Sequence, residues 1–113
     1  MIKVSVMYPN TEGSTFDITY YCDRHIPLVL GLLGTAVKGA AVDQGIGGSA
    51  PGSPAPYLAL GHLFFESVEA FQASFDPHAQ VILGDIPNYT NTQPIIQVSE
   101  VRLDAASVPA SAV

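Results

Sequence analysis

Hydrophobic and polar positions alternate at the start of the chain and predict a β-strand. Residues 2–8, IKVSVMY, place apolar side chains at every second position, and Pro9-Asn10 ends the run. A weaker alternation over residues 37–42 predicts a second strand. Residues 57–65 are apolar at almost every position except His62, which is typical of a central strand covered on both faces. Residues 95–103 predict a last strand.

Two segments show the spacing and the end signals of helices. The first runs from about residue 18 to residue 33, with Asp17 as the expected N-cap and Gly34 as the residue that ends it. Pro27 removes one intrahelical hydrogen bond and is expected to kink or split this helix. The second helix is expected to start after Ser67 and to be interrupted at Asp76-Pro77.

The order β-α-β-β-α-β predicts an α+β, ferredoxin-like fold with a four-stranded antiparallel sheet. We expect one domain over residues 1–104 and a flexible tail over residues 105–113, which is weakly patterned. The helices are expected to cover one face of the sheet. Since the strand at 57–65 is apolar on both faces, the face of the sheet that the helices leave uncovered also needs a partner. We therefore expect a homodimer in which two sheets pack face to face.

Composition and charge exclude some classes of binding partner. Only 12% of the 113 residues are charged, about half the usual fraction for a soluble protein, which supports burial of surface in an oligomer. The net charge of -6 argues against nucleic acid and against an anionic membrane surface. The chain has one cysteine, Cys22, and shows neither a secretory signal nor a membrane span. We expect a cytoplasmic protein in which Cys22 is packed rather than reactive.

Four segments in the same order resemble the EthD family, which takes its name from ethyl tert-butyl ether degradation. They are IKVSVMYP, FDITYYCDRHIPLVLGLLG, LGHLFFESVEAFQASF and DIPNYTN with the following IIQVSEV. The resemblance covers about residues 1–103 and implies a dimeric α+β barrel. Relatives in the wider superfamily include isomerases, polyketide cyclases, cofactor-free monooxygenases and haem-degrading enzymes. Fold alone does not select among these activities.

His25 and Tyr21 are the first candidates for catalysis. They are one helical turn apart and share a face, and His25 matches the family segment. Imidazole can take or give a proton near neutral pH, and a phenol can donate to a developing oxyanion. The alternative is a buried histidine that only satisfies local hydrogen bonds.

His62 is the third catalytic candidate, because a buried polar group without a partner costs about 1–3 kcal/mol. Leu60 and Phe64 share its face and are candidate ligand contacts. The small residues Ala59 and Gly61 on the opposite face favour close approach of a helix there. A structural role for His62 is equally compatible with the sequence.

His78 and Tyr89 are further candidate ligand contacts. His78 follows Asp76-Pro77 at an expected helix start, and Tyr89 lies on a loop that leads into the last strand. The spacing of the histidines does not predict a metal site, and we expect no cofactor.

The leading hypothesis is a homodimer that binds a small hydrophobic or aromatic molecule beside the sheet. If it is an enzyme, cofactor-free proton transfer of the isomerase, cyclase or decarboxylase type is expected, in a degradation or polyketide pathway. One alternative is a non-catalytic ligand-binding or accessory protein of a degradation pathway, associated with oxidoreductase systems. A third is a structural dimer whose histidines are core and interface residues.

Overall fold

Four antiparallel strands form one sheet in the computed structural model, which describes residues 1–103. The strands are β1 (Ile2–Pro9), β2 (Gly39–Gln44), β3 (Tyr57–Phe65) and β4 (Ile95–Glu100), in the spatial order β2-β3-β1-β4. The predicted α+β, ferredoxin-like fold is therefore confirmed. The expected flexible tail lies outside the described residues, so the predicted domain limit at residue 104 stays a prediction.

Two helical segments cover one face of this sheet. The first comprises α1 (Ile18–Tyr20), a π-helical turn (Tyr21–His25), α2 (Ile26–Leu33) and a 3-10 turn (Gly34–Ala36). The second comprises α3 (Val68–Phe75), a 3-10 turn (Asp76–His78), α4 (Ala79–Gly84) and a further 3-10 turn (Ile86–Asn88). No helix within residues 1–103 has the length and apolar character needed to cross a bilayer.

The predicted helix ends agree with the observed ones. The Asp17 carboxylate accepts the Tyr20 N–H at 3.0 Å, and the Ser67 hydroxyl accepts the Ala70 N–H at 3.1 Å. Gly34 ends α2 with φ +61°, a conformation that glycine adopts without steric cost. The expectation for Cys22 was wrong, since this residue is exposed on the outer side of the π turn.

Pro27 acts on the first helix through the turn that precedes it. The Ile26 N–H bonds to the Tyr21 carbonyl, five residues back, so the turn holds one more residue than an α-helical turn. Pro27 lacks an N–H, and its ring would crowd the carbonyl four residues before it in a regular α-helix. The predicted kink is thus realised as a local widening over Tyr21–His25, after which α2 begins.

The strand register determines which side chains meet the helices. On β1 and β3, Val4 pairs with Leu63 on the helix face, and Ser5 pairs with His62 on the open face. One apolar core lies under α2 and α4; its buried members are Val4, Val29, Leu33, Phe65 and Ile82. The helix side therefore carries the small residues Ala59 and Gly61, and His62 lies on the other side of the sheet.

Gly61 is required where the first helix crosses β3. A Cβ atom at this position would overlap the hydroxyl of Tyr21. We expect Gly61→Ala to lower the free energy of unfolding by about 1–3 kcal/mol, because the Tyr21 ring is buried and cannot move freely. Urea denaturation followed by circular dichroism measures this change.

The matched control is Gly31→Ala in α2, where a Cβ atom meets nothing within 4 Å. In a helix, alanine is favoured over glycine by about 0.5–1 kcal/mol, so this variant should be neutral or more stable. Equal effects of the two substitutions would contradict the close contact between Gly61 and Tyr21.

Candidate functional site

A cluster of buried polar rings lies between the first helical segment and the chain that follows α4. Strand β1 supplies Tyr8, the π turn supplies Tyr21 and His25, and Tyr89 follows the last 3-10 turn. All four residues are at most 4% exposed. Asp85 lies at the end of α4 and is almost as deeply placed, with its side chain 13% exposed.

Asp85 holds His25 in one orientation. Its Oδ2 atom accepts from Nδ1 of His25 at 2.9 Å, and its Oδ1 atom accepts from the Tyr20 hydroxyl at 2.8 Å and from the Asn88 amide at 2.9 Å. Partial burial works to raise the pKa of Asp85, but these hydrogen bonds outweigh it and hold the pKa below its ordinary value. The carboxylate is therefore charged at neutral pH and can only accept, which places the proton of neutral His25 on Nδ1.

The opposite ring nitrogen of His25 faces Tyr89. The Tyr89 hydroxyl lies 3.4 Å from Nε2, which is longer than a normal hydrogen bond, and 2.7 Å from the Tyr8 hydroxyl. Since Nε2 carries a lone pair, Tyr89 donates to it, and Tyr8 donates to Tyr89. The weak bond leaves the lone pair of Nε2 available to a better donor.

The phenols of this cluster stay protonated at neutral pH. Burial raises the pKa of Tyr8, Tyr21 and Tyr89 well above the ordinary tyrosine value, and contacts among the three phenols alter each value further. The Tyr21 ring stacks on His25 with the centroids 5.4 Å apart and the planes 14° apart. These rings thus provide hydrogen-bond donors around one imidazole.

A cavity of about 90 Å³ lies next to this cluster, between the helices and the sheet. Among residues 1–103, Tyr8 and His25 are the only polar residues that line it. The others are Val4, Val6, Ile26, Val29, Leu63, Phe71, Phe75, Ile82, Leu83, Ile86, Pro94 and Ile96. An apolar cavity with a histidine and a tyrosine in its lining can hold an apolar molecule and offer it two polar contacts.

Comparison with known proteins assigns the chain to a family. A model of the EthD domain matches residues 12–93, which is more than half of the chain. The chain belongs to the EthD family.

Solved structures agree with this assignment. An EthD-like protein from Ralstonia eutropha JMP134 is 46% identical, with a TM-score of 0.90 over 95% of this chain and 96% of that one. An ethyl tert-butyl ether D (EthD) family protein from Bacillus halodurans C-125 is 17% identical, with a TM-score of 0.68 over 89% and 98% of the two chains. HapK from Hahella chejuensis, at 12% identity and a TM-score of 0.53 over 92% and 96%, shares the fold. Among curated proteins, none matches the chain.

In this EthD protein the residues predicted for the site fall into two groups. His25, Tyr21 and Tyr89 lie together in the buried cluster. His62 lies with Leu60 and Phe64 on the open face of the sheet, so it does not share a site with His25. The predicted arrangement, in which both histidines contact one ligand, does not occur within the chain.

His62 has its own partners on the open face. Its Nδ1 atom lies 3.0 Å from the Ser5 hydroxyl, and its Nε2 atom lies 3.2 Å from Oδ2 of Asp43. Its hydrogen-bonding needs are therefore met by side chains of β1 and β2. His78 ends the 3-10 turn before α4, is half-buried, and does not line the cavity.

Sequence reasoning missed three residues of the cluster: Tyr8, Tyr20 and Asp85. Tyr8 was assigned to a strand, and its hydroxyl gave no signal of its own. The sequence did contain a signal for Asp85, because the DIPNY segment places a carboxylate directly after a helix end and four residues before Tyr89. No three histidine, cysteine, aspartate or glutamate side chains lie close enough to hold a metal ion within the part of the chain that the structure describes.

Proposed function

We propose that the protein binds a small hydrophobic or aromatic molecule with its reacting end in the cavity between helices and sheet, and that His25 transfers a proton on it without a cofactor. The observation that carries this proposal is the orientation of His25 by Asp85. The Nδ1–H group of His25 donates to the carboxylate, so the lone pair is on Nε2. The Tyr89 hydroxyl contacts Nε2 only through a long, weak hydrogen bond. A base whose second nitrogen is held by a carboxylate is suited to general acid–base catalysis.

The proton transfer can be written for a ligand with a carbonyl group. A C–H bond next to the carbonyl breaks, its proton bonds to Nε2 of His25, and the electron pair moves onto the carbonyl oxygen. Asp85 stabilises the resulting imidazolium, and the enolate oxygen accepts a hydrogen bond from a phenol. Return of the proton to another carbon gives an isomer, and return to the same carbon gives exchange with solvent protons.

Tyr8 suits the role of donor better than Tyr21. Tyr8 lines the cavity, whereas Tyr21 stacks on His25 and does not line it. Tyr21 then fixes the plane of the imidazole, and Tyr89 covers Nε2 until a ligand replaces it. This division of roles keeps His25 and Tyr21 in the site and adds Tyr8.

We also propose that the protein is a homodimer through the open face of the sheet. That face carries the half-buried Leu60 and Phe64 on the central strand and the exposed Ile95 on β4. A second copy would cover this apolar surface without reaching His25, which lies on the helix side.

The test of the chemistry is exchange of the α-protons of butanone with D2O, measured by mass spectrometry. We expect wild-type protein to accelerate exchange and His25→Ala to lose about 10²–10³-fold of the acceleration. His62→Ala is the matched control, because it removes a histidine from the opposite face, and it should retain the wild-type rate.

Circular dichroism confirms that each variant is folded, and His25→Asn repeats the measurement with a polar side chain. Equal exchange by wild type and both His25 variants would remove His25 from the chemistry. Saturable binding of butanone without accelerated exchange would instead support the alternative, a ligand-binding or accessory protein.

A further inference from the structure

An open groove lies against the outer side of the cavity. Its volume is about 540 Å³, and it runs between the end of α4, the chain after it and β4. Leu83, Ile86, Pro94 and Ile96 line both the groove and the inner cavity. The two spaces therefore adjoin at four apolar residues, two of which, Leu83 and Ile96, are exposed.

The inner cavity is too small to hold a typical ligand alone. Its volume is about 90 Å³, whereas a cavity that holds benzene measures roughly 150 Å³ and small-molecule sites measure roughly 300–1,000 Å³. A larger molecule with its reactive end beside His25 therefore needs adjoining space, and Leu83 and Ile96 border such space. The groove is the space adjoining the cavity at these residues.

The groove is more polar than the cavity, but among the described residues neither is lined by a side chain of lysine, arginine, aspartate or glutamate. The groove carries four consecutive neutral polar residues, Thr90 to Gln93. A carboxylate or phosphate on the ligand would find no cation there, in a protein of net charge -6. A cation would not find Asp85 free, because that carboxylate already accepts from three side chains.

We infer that the ligand is an uncharged amphipathic molecule that spans both spaces, with a carbonyl-bearing apolar end in the cavity and a neutral oxygenated end in the groove. This inference rests on the proposed function, since it takes the cavity beside His25 as the place of the reacting end. It adds the groove as a second subsite and excludes anionic ligands as the preferred class.

Gln93 gives a direct test of this subsite. Its side chain is exposed and lines the groove, and it makes no hydrogen bond among the described residues. The probes are butanone, para-hydroxybenzylacetone and the para-carboxylate of benzylacetone. All three share one methyl ketone; butanone has no ring, and the other two differ from each other only in the para group. Dissociation constants come from isothermal titration, and α-proton exchange in D2O is recorded for each probe.

For the wild-type protein we expect the hydroxy derivative to bind about tenfold more tightly than either butanone or the carboxylate. Gln93→Lys should improve binding of the carboxylate about threefold, the size of an exposed ion pair, and leave butanone unchanged. Gln72→Lys on α3 makes the same change of charge away from the groove and should leave all three constants unchanged.

The outcomes separate the two proposals. His25-dependent exchange of butanone with no gain for the hydroxy derivative would overturn the groove subsite and leave the proposed function standing. Tightest binding of the carboxylate by wild type, or equal responses to Gln93→Lys and Gln72→Lys, would also overturn it. No saturable binding of any probe would overturn both.

Discussion

Replacing Asp85 with asparagine is expected to move the proton of neutral His25 from Nδ1 to Nε2. The carboxylate accepts three hydrogen bonds, one at Oδ2 from His25 and two at Oδ1 from Tyr20 and Asn88. An asparagine keeps the two bonds at Oδ1 only if its NH2 group faces His25. That group can only donate, so Nδ1 must become the acceptor. Nε2 would then carry a hydrogen and could no longer act as a base.

Nuclear magnetic resonance of the imidazole nitrogens distinguishes the two tautomers directly. The spectra of the two proteins are compared in the alkaline range, where the signals of the neutral imidazole are assigned. We expect wild type to show Nδ1–H and Asp85→Asn to show Nε2–H, together with a loss of about 10²–10⁴-fold in butanone exchange. An unchanged tautomer in the variant would contradict the orienting role of Asp85.

The same substitution should lower the free energy of unfolding by about 1.5–3 kcal/mol at neutral pH, the range for hydrogen bonds to a charged group. The sign of its pH dependence follows from the lowered pKa of Asp85. The contribution is fully present above the ordinary value of 3.8 and is lost as the pH falls through the lower value of the folded state. The difference in stability between wild type and variant should therefore shrink in acid.

Asp43 provides a matched control, because it also contacts a histidine. Its Oδ2 atom lies 3.2 Å from Nε2 of His62, but its side chain is 62% exposed. Water can replace this contact, so Asp43→Asn should change the stability of one chain by less than about 1 kcal/mol. Comparable losses from the two substitutions would show that burial does not distinguish the two His–Asp pairs.

Replacing Phe65 with alanine is expected to give the largest loss of stability, about 3–5 kcal/mol. Phe65 is fully buried at the end of β3 and packs on Phe71 of α3, with ring centroids 5.1 Å apart. The helices that pack around the Phe65 ring are also held in place by their other contacts with the sheet. They therefore cannot move in to fill the cavity that Phe65→Ala leaves. Urea denaturation measures the change, and a loss below about 1 kcal/mol would contradict this description of the core.

Phe64 is the matched control, one residue earlier and on the other face of the sheet. If two copies pair through the open face, Phe64→Ala should shift the monomer–dimer equilibrium, which sedimentation reports as a dependence on protein concentration. Phe65→Ala should instead lower stability at every concentration. A wild-type protein that sediments as a monomer at all concentrations would contradict the proposed homodimer.

The sequence was sufficient for the fold because local signals and sheet pattern agreed. Asp17, Ser67 and Gly34 mark helix ends by their own chemistry, and the apolar alternation of β1 and β3 determines which faces are buried. The sequence did not decide which face of β3 meets the helices; the strand register places Ala59 and Gly61 on that side. Three strand limits differ by two or three residues, because β2 begins at Gly39 after a 3-10 turn and ends at Gln44, and β4 ends at Glu100.

The site was less predictable, because its bonds join residues far apart in the chain. Tyr21 and His25 were found through their spacing on one helix, which is a local relation. The bonds from His25 to Asp85 and from Tyr8 to Tyr89 span 60 and 81 residues, and no periodicity encodes them. His62 stood out as a polar residue in an apolar strand, but its partners Ser5 and Asp43 became evident only with the strand register.

The widened turn before Pro27 presents its side chains to solvent and keeps the rings beneath them in place. Cys22, Asp23 and Arg24 are all exposed, so substitutions there contact solvent and leave the rings beneath unaffected. The bond from Ile26 to the Tyr21 carbonyl closes the turn over one more residue than an α-helical bond does. The extra residue is therefore taken up within the turn, and α1 and α2 stay aligned as parts of one helical segment. The turn thus holds one exposed residue that the alignment of the helix does not require.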